Sequence, residues 1–195
     1  PSPEDSYERL NACDFIYISH NHPDHLHPLS LKKIRKDMVF LVPNFTSGST
    51  ERYLRALGFS NIVSPGFCNT ISSQDYEFAA TVLKSGDFRD DSGLLIQVGK
   101  FSALLTVDSN FLDFQRFPES VTVLASSFAG GASGFPLCFD DYSESEKDII
   151  VRRNSTAIRS TNINNISKCN PKYFLPYAGF FSERASRDSY IKLKN

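Results

Sequence analysis

The residues most able to do chemistry are four histidines that lie within eight positions, at His20, His22, His25 and His27. Three of them join Asp24 in the pattern His20-x-His22-x-Asp24-His25, which follows the apolar, β-favouring run 15–18. Imidazole and carboxylate groups concentrated at the end of a strand are typical of a metal site. The sequence contains no other histidine, so any further ligand must be a carboxylate, a thiolate, a carbonyl or water.

The spacing within this cluster favours two ions. Side chains two residues apart in an extended segment point to the same side, so His20 and His22 can reach one ion. Pro23 then bends the chain and suits the start of a helical turn, and we expect Asp24 and His25 to hold a second ion. Two neighbouring metals can generate a hydroxide and clamp an oxyanion. The alternative is a histidine-rich surface loop without metal. His27 lies outside the pattern, and we expect no direct role for it.

A carboxylate from elsewhere must complete the site, and Asp108 is the leading candidate. It follows the predicted strand residues 103–107, which would bring it to the same edge as His20, where it could bridge two ions. The alternative is that Asp108 caps the next turn. One of Asp87, Asp90 and Asp91 could supply another oxygen ligand, with Asp87 the first choice, although each of them could instead be a solvated loop charge.

The elements that must position these groups alternate in the first half of the chain. Strands are predicted at 14–19, 38–42, 76–83, 94–99, 102–107, 121–125 and 173–176, with a hairpin turn at 98–101. Helices are predicted at 30–36, at 50–57 with Ser49 as the cap, and at 143–168, where a break is an alternative. Strand–helix alternation favours parallel pairing. We therefore predict one α/β domain over residues 1–195 with mixed sheets.

The composition limits the partners. A net charge of −1 gives no overall field that would recruit nucleic acid or an anionic membrane. No apolar run approaches the roughly 20 residues needed to span a bilayer. The four cysteines are widely spaced, which predicts reduced thiols in a cytoplasmic protein. We expect a small-molecule substrate and neither nucleic acid nor membrane as a partner.

A glycine-rich segment at 130–134 is the candidate substrate-binding loop. Glycines permit close backbone approach, and successive amides can form a nest for an anion such as a phosphate. The residues concerned are Gly130, Gly131, Ser133 and Gly134. The alternative is a tight turn that needs glycine for its geometry alone.

The histidine pattern together with Asp108 resembles the metallo-β-lactamase superfamily. That resemblance implies an αββα sandwich and a site for two divalent ions of zinc, iron or manganese. Asp24 and Asp108 would then be the catalytic carboxylates as well as ligands. Only 19 residues precede His20, and the superfamily has strands before this motif. We therefore expect a fragment that lacks the N-terminal strands.

Longer segments are similar to the CMP-N-acetylneuraminate hydroxylases. They comprise residues 19–26, 106–108, 126–136 and 173–181. The resemblance implies the C-terminal domain of a monooxygenase that hydroxylates the N-acetyl group of a nucleotide-sugar. It also implies an electron-transfer partner, and a Rieske iron–sulfur cluster if an upstream domain exists.

Two positions depart from the superfamily pattern. Phe88 and Ala185 fall where metal-binding histidines are expected. Asp87 could complete the first site and Glu183 the second. Carboxylates in place of imidazoles would shift the preference from zinc toward iron or manganese. Two alternatives stay open, namely a metal-dependent hydrolase such as a lactonase or phosphodiesterase, and a degenerate binding module without catalysis.

Overall fold

The computed structural model describes residues 3–73, 77–109, 111–113, 117–128 and 135–177. Its first half builds a three-stranded parallel sheet in the order β1-β2-β3, from Phe15–Tyr17, Val39–Leu41 and Ile62–Val63. Three helices accompany this sheet: α1 at Pro3–Asn11, α2 at Pro28–Leu31 and α3 at Ser49–Ala56. The alternating strands and helices produce the parallel pairing that the sequence predicts.

The second half builds a six-stranded mixed sheet in the order β4 to β9. Its strands are Thr70–Ser73, Phe78–Lys84, Ser92–Val98, Phe101–Leu105, Val123–Ser127 and Tyr173–Tyr177. Successive strands from β4 to β7 pair antiparallel, whereas β8 pairs parallel with both β7 and β9. The hairpin predicted at 98–101 joins β6 to β7. The long helix α4, at Glu144–Cys169, precedes β9.

The alternation of side chains along the strands separates the molecule into four layers. In β2, Phe40 packs in a core with helix residues such as Leu54, whereas its neighbour Leu41 packs against Val82 of the second sheet. On the other face of that sheet, Leu104 joins a core that reaches Cys169 of α4. Period-two alternation in strands buried on both faces explains these separate cores. The order is helices, sheet, sheet, helix, which confirms the expected αββα sandwich.

Local differences from the sequence prediction have simple causes. Ser49 is the first residue of α3 and does not cap it, because Gly48, at a φ of 55°, occupies the N-cap. Helix α4 is unbroken, and a capping box between Ser143 and Glu146 starts it. Helix α1 and the short strands β3 and β4 were absent from the prediction. None of the described helices combines the length and apolar character needed to cross a membrane.

Candidate metal centre

The histidine pattern begins where β1 leaves its sheet. His20 is buried with 1% of its surface exposed, and its Nε2 lies 2.8 Å from Nδ1 of His22. The two rings meet edge to face, with centroids 4.4 Å apart. Asn21 points away, and its side-chain amide donates to Oγ of Ser49 at 2.8 Å. The extended segment therefore turns both imidazoles to one side, as the spacing predicts.

A turn after Pro23 carries the next two candidate ligands. The backbone amides of His25 and Leu26 both donate to the carbonyl of His22, which closes the turn. His25 Nε2 then lies 3.6 Å from Oδ2 of Asp24 and faces the first pair, with its ring centroid 4.2 Å from that of His20. Leu26 is buried in the core of the first sheet and anchors the turn.

Asp108 reaches both sets of residues from the second sheet. Its Oδ2 lies 3.1 Å from Nε2 of His25 and 3.7 Å from Nε2 of His20. Strand β7 ends at Leu105, and Asp108 sits in a tight turn in which Val107 has a φ of 54°. A β-branched residue seldom adopts this conformation, so the turn is strained. Asp108 therefore lies within reach of both sets of residues, and its role as a bridge between two ions stays a prediction.

A chain of buried hydrogen bonds anchors the strained turn at Val107 to the rest of the domain. The Thr106 hydroxyl donates to Ser126 at 3.1 Å, and the Ser126 hydroxyl donates to Oδ1 of Asn162 on α4 at 2.7 Å. The Asn162 amide in turn donates to the carbonyl of Ser127 at the end of β8. These bonds connect the turn before Asp108 to the second sheet and to α4.

The electrostatics of the centre link His25 and Asp108. Their hydrogen bond, reinforced by charge attraction, raises the pKa of His25 above its ordinary value although burial opposes this. The same bond lowers the pKa of the Asp108 carboxyl, again against burial. Without metal, the two side chains therefore favour a charged pair.

The five residues form two sets of three donor atoms, each within 4.8 Å of one another. We call His20, His22 and Asp108 the first ligand group, and Asp24, His25 and Asp108 the second ligand group. Donor atoms bound to one ion at about 2.1 Å lie roughly 3 to 3.5 Å apart, so modest adjustment would fit each group to a metal. Imidazole and carboxylate donors suit zinc, iron and manganese.

The amino-acid sequence was compared with those of known proteins. No family model matches the sequence. Over 99% of its length, the chain is 34% identical to cytidine monophosphate-N-acetylneuraminic acid hydroxylase of Danio rerio. The chain spans about a third of the length of the curated relatives it matches.

Solved structures decide the fold. A diiron β-hydroxylase from Streptomyces venezuelae superposes with a TM-score of 0.57 at 20% identity, covering 87% of this chain and 37% of that one. A metallo-β-lactamase fold protein from Bacillus subtilis covers 99% of this chain and 75% of its own, with a TM-score of 0.51 at 16% identity. The chain has the metallo-β-lactamase fold. Its sequence is related to the sialic acid hydroxylases over nearly its whole length.

Several residues singled out in the sequence lie outside both ligand groups. Asp87 Oδ2 binds Nε of Arg89 at 2.8 Å, and Asp87 belongs to neither ligand group among the described residues. Phe88, which the resemblance places where a metal-binding histidine is expected, is 97% exposed. His27 caps α2 and accepts from the Ser30 amide at 3.3 Å. Glu183, Ala185 and the loop residues Gly130, Gly131, Ser133 and Gly134 lie outside the described part of the chain.

The structure places one residue of the acidic run 87–91 beside the centre. Asp91 is buried, and its Oδ1 lies 3.0 Å from Nδ1 of His20. Its only sequence signal is membership of the acidic run around Asp87 and Asp90, which does not distinguish the three. Its position just before β6 turns it toward the interior.

Proposed function

We propose that this chain is the metal-binding domain of a monooxygenase that hydroxylates the N-acetyl group of a CMP-sialic acid. The observation that carries the proposal is the convergence of two ligand groups on Asp108, in a chain related over 99% of its length to hydroxylases of this kind. In this proposal the five residues of the two ligand groups hold two ions.

The chain's own residues would divide the work at this centre. A pair of iron or manganese ions would supply the redox chemistry that oxygen insertion needs. Asp108 would supply a carboxylate ligand to both ions. His22 and Asp24 are exposed, so they mark the side from which substrate approaches. Asp24 and Asp108 are the carboxylates available to take up or release a proton beside the reacting group.

The substrate side of the proposal rests on the neighbouring strand. Strand β8 runs parallel to β7, so Ser127 ends at the same sheet edge as the turn that carries Asp108. The segment with Gly130, Gly131, Ser133 and Gly134 follows β8 in the sequence. Backbone amides of such a segment suit the phosphate of a nucleotide-sugar. Electrons would come from an electron-transfer partner, through a Rieske cluster if the whole protein contains one.

Metal content and substrate binding together test the proposal. The chain is purified without chelators under anaerobic conditions, reconstituted separately with Fe(II), Mn(II) and Zn(II), and analysed for metal. CMP-N-acetylneuraminate is then titrated into each form. Close to two iron or manganese ions per chain, with saturable binding of the nucleotide-sugar, is the expected result.

Two outcomes would replace the proposal with one of its rivals. Two zinc ions together with turnover of a phosphodiester or lactone, without reductant, would indicate a hydrolase. Nucleotide-sugar binding with no metal in any form would indicate a binding module that has lost its catalytic centre. The Asp108→Ala variant serves as the negative control for metal content in each case.

A further inference from the structure

We propose that Asp91 is a positioning residue for the first ligand group, holding the imidazole of His20 in the tautomer that carries its proton on Nδ1. Nε2 then keeps a free lone pair directed at the ion. The inference rests on the proposed metal centre, because it assigns a role to a residue that touches a ligand and not the ion itself.

The two nitrogens of His20 face different surroundings. Nε2 points to the ligand side, 2.8 Å from Nδ1 of His22 and 3.7 Å from Oδ2 of Asp108. Nδ1 points inward, 3.0 Å from Oδ1 of Asp91. Both side chains of this inner pair are almost completely buried, at 1% and 3% exposure. Water therefore cannot replace either partner.

The buried carboxylate decides which nitrogen carries the proton. A neutral imidazole has one N–H, and an unprotonated Nδ1 would direct its lone pair toward a carboxylate oxygen. Oδ1 of Asp91 has no aligned hydrogen-bond donor among the described residues, and Nδ1 of His20 lies 3.0 Å from it, so a small rotation of the imidazole would make Nδ1–H its donor. The Ser19 hydroxyl, 2.9 Å from Nδ1, can accept or donate and therefore imposes neither tautomer.

Hydrogen bonds between the two sheets keep Asp91 against His20. The Ser92 hydroxyl donates to the carbonyl of Ser19 at 2.8 Å. The Tyr17 hydroxyl lies 2.6 Å from the same Ser92 oxygen and is therefore the donor of that bond. These bonds join the residue that follows Asp91 to the residue that precedes His20. The contact is thus built into the interface between β1 and β6.

An arginine holds the other oxygen of the carboxylate. Nη1 of Arg89 lies 3.7 Å from Oδ2 of Asp91, while Nε of the same side chain binds Asp87 at 2.8 Å. Asp87 also receives a hydrogen bond from the Ser85 hydroxyl. Asp87 therefore acts at a distance from the centre, by orienting the cation that neutralises Asp91. Metal-binding histidines commonly need such a carboxylate partner on the second nitrogen.

The test compares Asp91→Asn with Asp90→Asn, which makes the same charge change at an exposed residue next in the chain. The first readout is the pair of ¹⁵N chemical shifts of the His20 ring in the metal-free protein. The second is the affinity for Mn(II) or Zn(II), measured by competition with a chelator. We expect a protonated Nδ1 in the unmodified chain and a loss of about 10- to 100-fold in affinity for Asp91→Asn. Asp90→Asn should change neither readout.

The two readouts separate this inference from the proposed function. A protonated Nε2 in the unmodified, metal-free chain would overturn the role of Asp91, whatever the metal affinity. This measurement needs no variant, so it stays decisive even where Asp91→Asn fails to fold. A protonated Nδ1 in a chain that binds no metal would instead contradict the metal centre alone. A folded Asp91→Asn variant with unchanged tautomer and affinity would also overturn the inference.

Discussion

The first and second ligand groups share Asp108, but the protein holds them in different ways. His20 of the first group is buried and contacts Ser19 and Asp91. In the second group the side chain of Asp24 is 70% exposed and that of His25 is 24% exposed. The first group is therefore anchored by one ligand buried at the interface between two sheets, whereas the two residues particular to the second group lie on a surface turn.

This difference shows how a metal centre can bind its ions tightly and still admit a substrate. Ligands that are already oriented lose little conformational freedom when an ion binds, which favours affinity. Ligands on an exposed turn can adjust as the coordination changes and can admit a substrate. We therefore expect the first ligand group to bind the tighter ion and the second to bind the weaker, more accessible one.

Asp108→Ala should have the largest effect, because it removes the residue that joins the two groups. Each group would keep only two donors, and we expect metal content to fall from about two ions per chain to nearly none. Elemental analysis after gel filtration measures this. Asp24→Ala is the matched control, since it removes a carboxylate from the second group only. Retention of one tightly bound ion by Asp108→Ala would contradict the shared role.

His20→Ala and His22→Ala separate retention of the metal from stability of the fold. Both variants should lose the first ion, because each removes one of its imidazoles. His20 is buried, so its removal should also cost about 2 kcal/mol or more in the free energy of unfolding. His22 is exposed, and its removal should cost less than about 1 kcal/mol.

Chemical denaturation of the metal-free variants tests this pair. Chelator is present throughout, so that differences in bound metal do not contribute to stability. Equal stability of the two variants would mean that burial does not distinguish the ligands. The first group, in spite of its buried His20, would then not be more rigidly held than the second.

Asp24→Ala should have a smaller effect, confined to the second group. We expect the weaker of two binding steps to disappear from a calorimetric metal titration. The tighter step should keep its affinity within severalfold, because His20, His22 and Asp108 are untouched. Loss of both steps together would mean that the two groups bind metal as one cooperative unit, without the predicted difference between them.

The sequence allowed most of the candidate ligands to be brought together, because two of them, His20 and Asp108, follow strands. His20 and Asp108 are predicted to lie close together because each comes just after a strand, and residues that follow strands ending at the same edge are neighbours in space. The sequence did not reveal the turn at Val107, because a positive φ at a β-branched residue is imposed by surrounding structure. Nor could it separate Asp91 from Asp87 and Asp90, since burial of one among three depends on how β6 meets β1.

The same limit applies to the fold. Strands with apolar runs are predicted within a few residues of their bounds, and the long polar stretch 143–168 is predicted as a helix close to the bounds of α4. Helix α1 is not predicted although Pro3 and two acidic residues mark its first turn, because Tyr7 and Leu10 are the only large apolar residues among its nine. Strand β3 has two residues and β4 has four, which is too short for a pattern to emerge.

His27→Ala should have the smallest effect and marks the boundary of the centre. His27 belongs to the same cluster in the sequence, but its Nδ1 accepts from the Ser30 amide and caps α2. We expect a loss of about 0.5 to 1 kcal/mol in stability and unchanged affinity for both ions. His27→Asn is the matched control, because asparagine is a good N-cap and should restore the stability. Weaker metal binding in His27→Ala, but not in His27→Asn, would mean that the cap also orients the turn that carries His25.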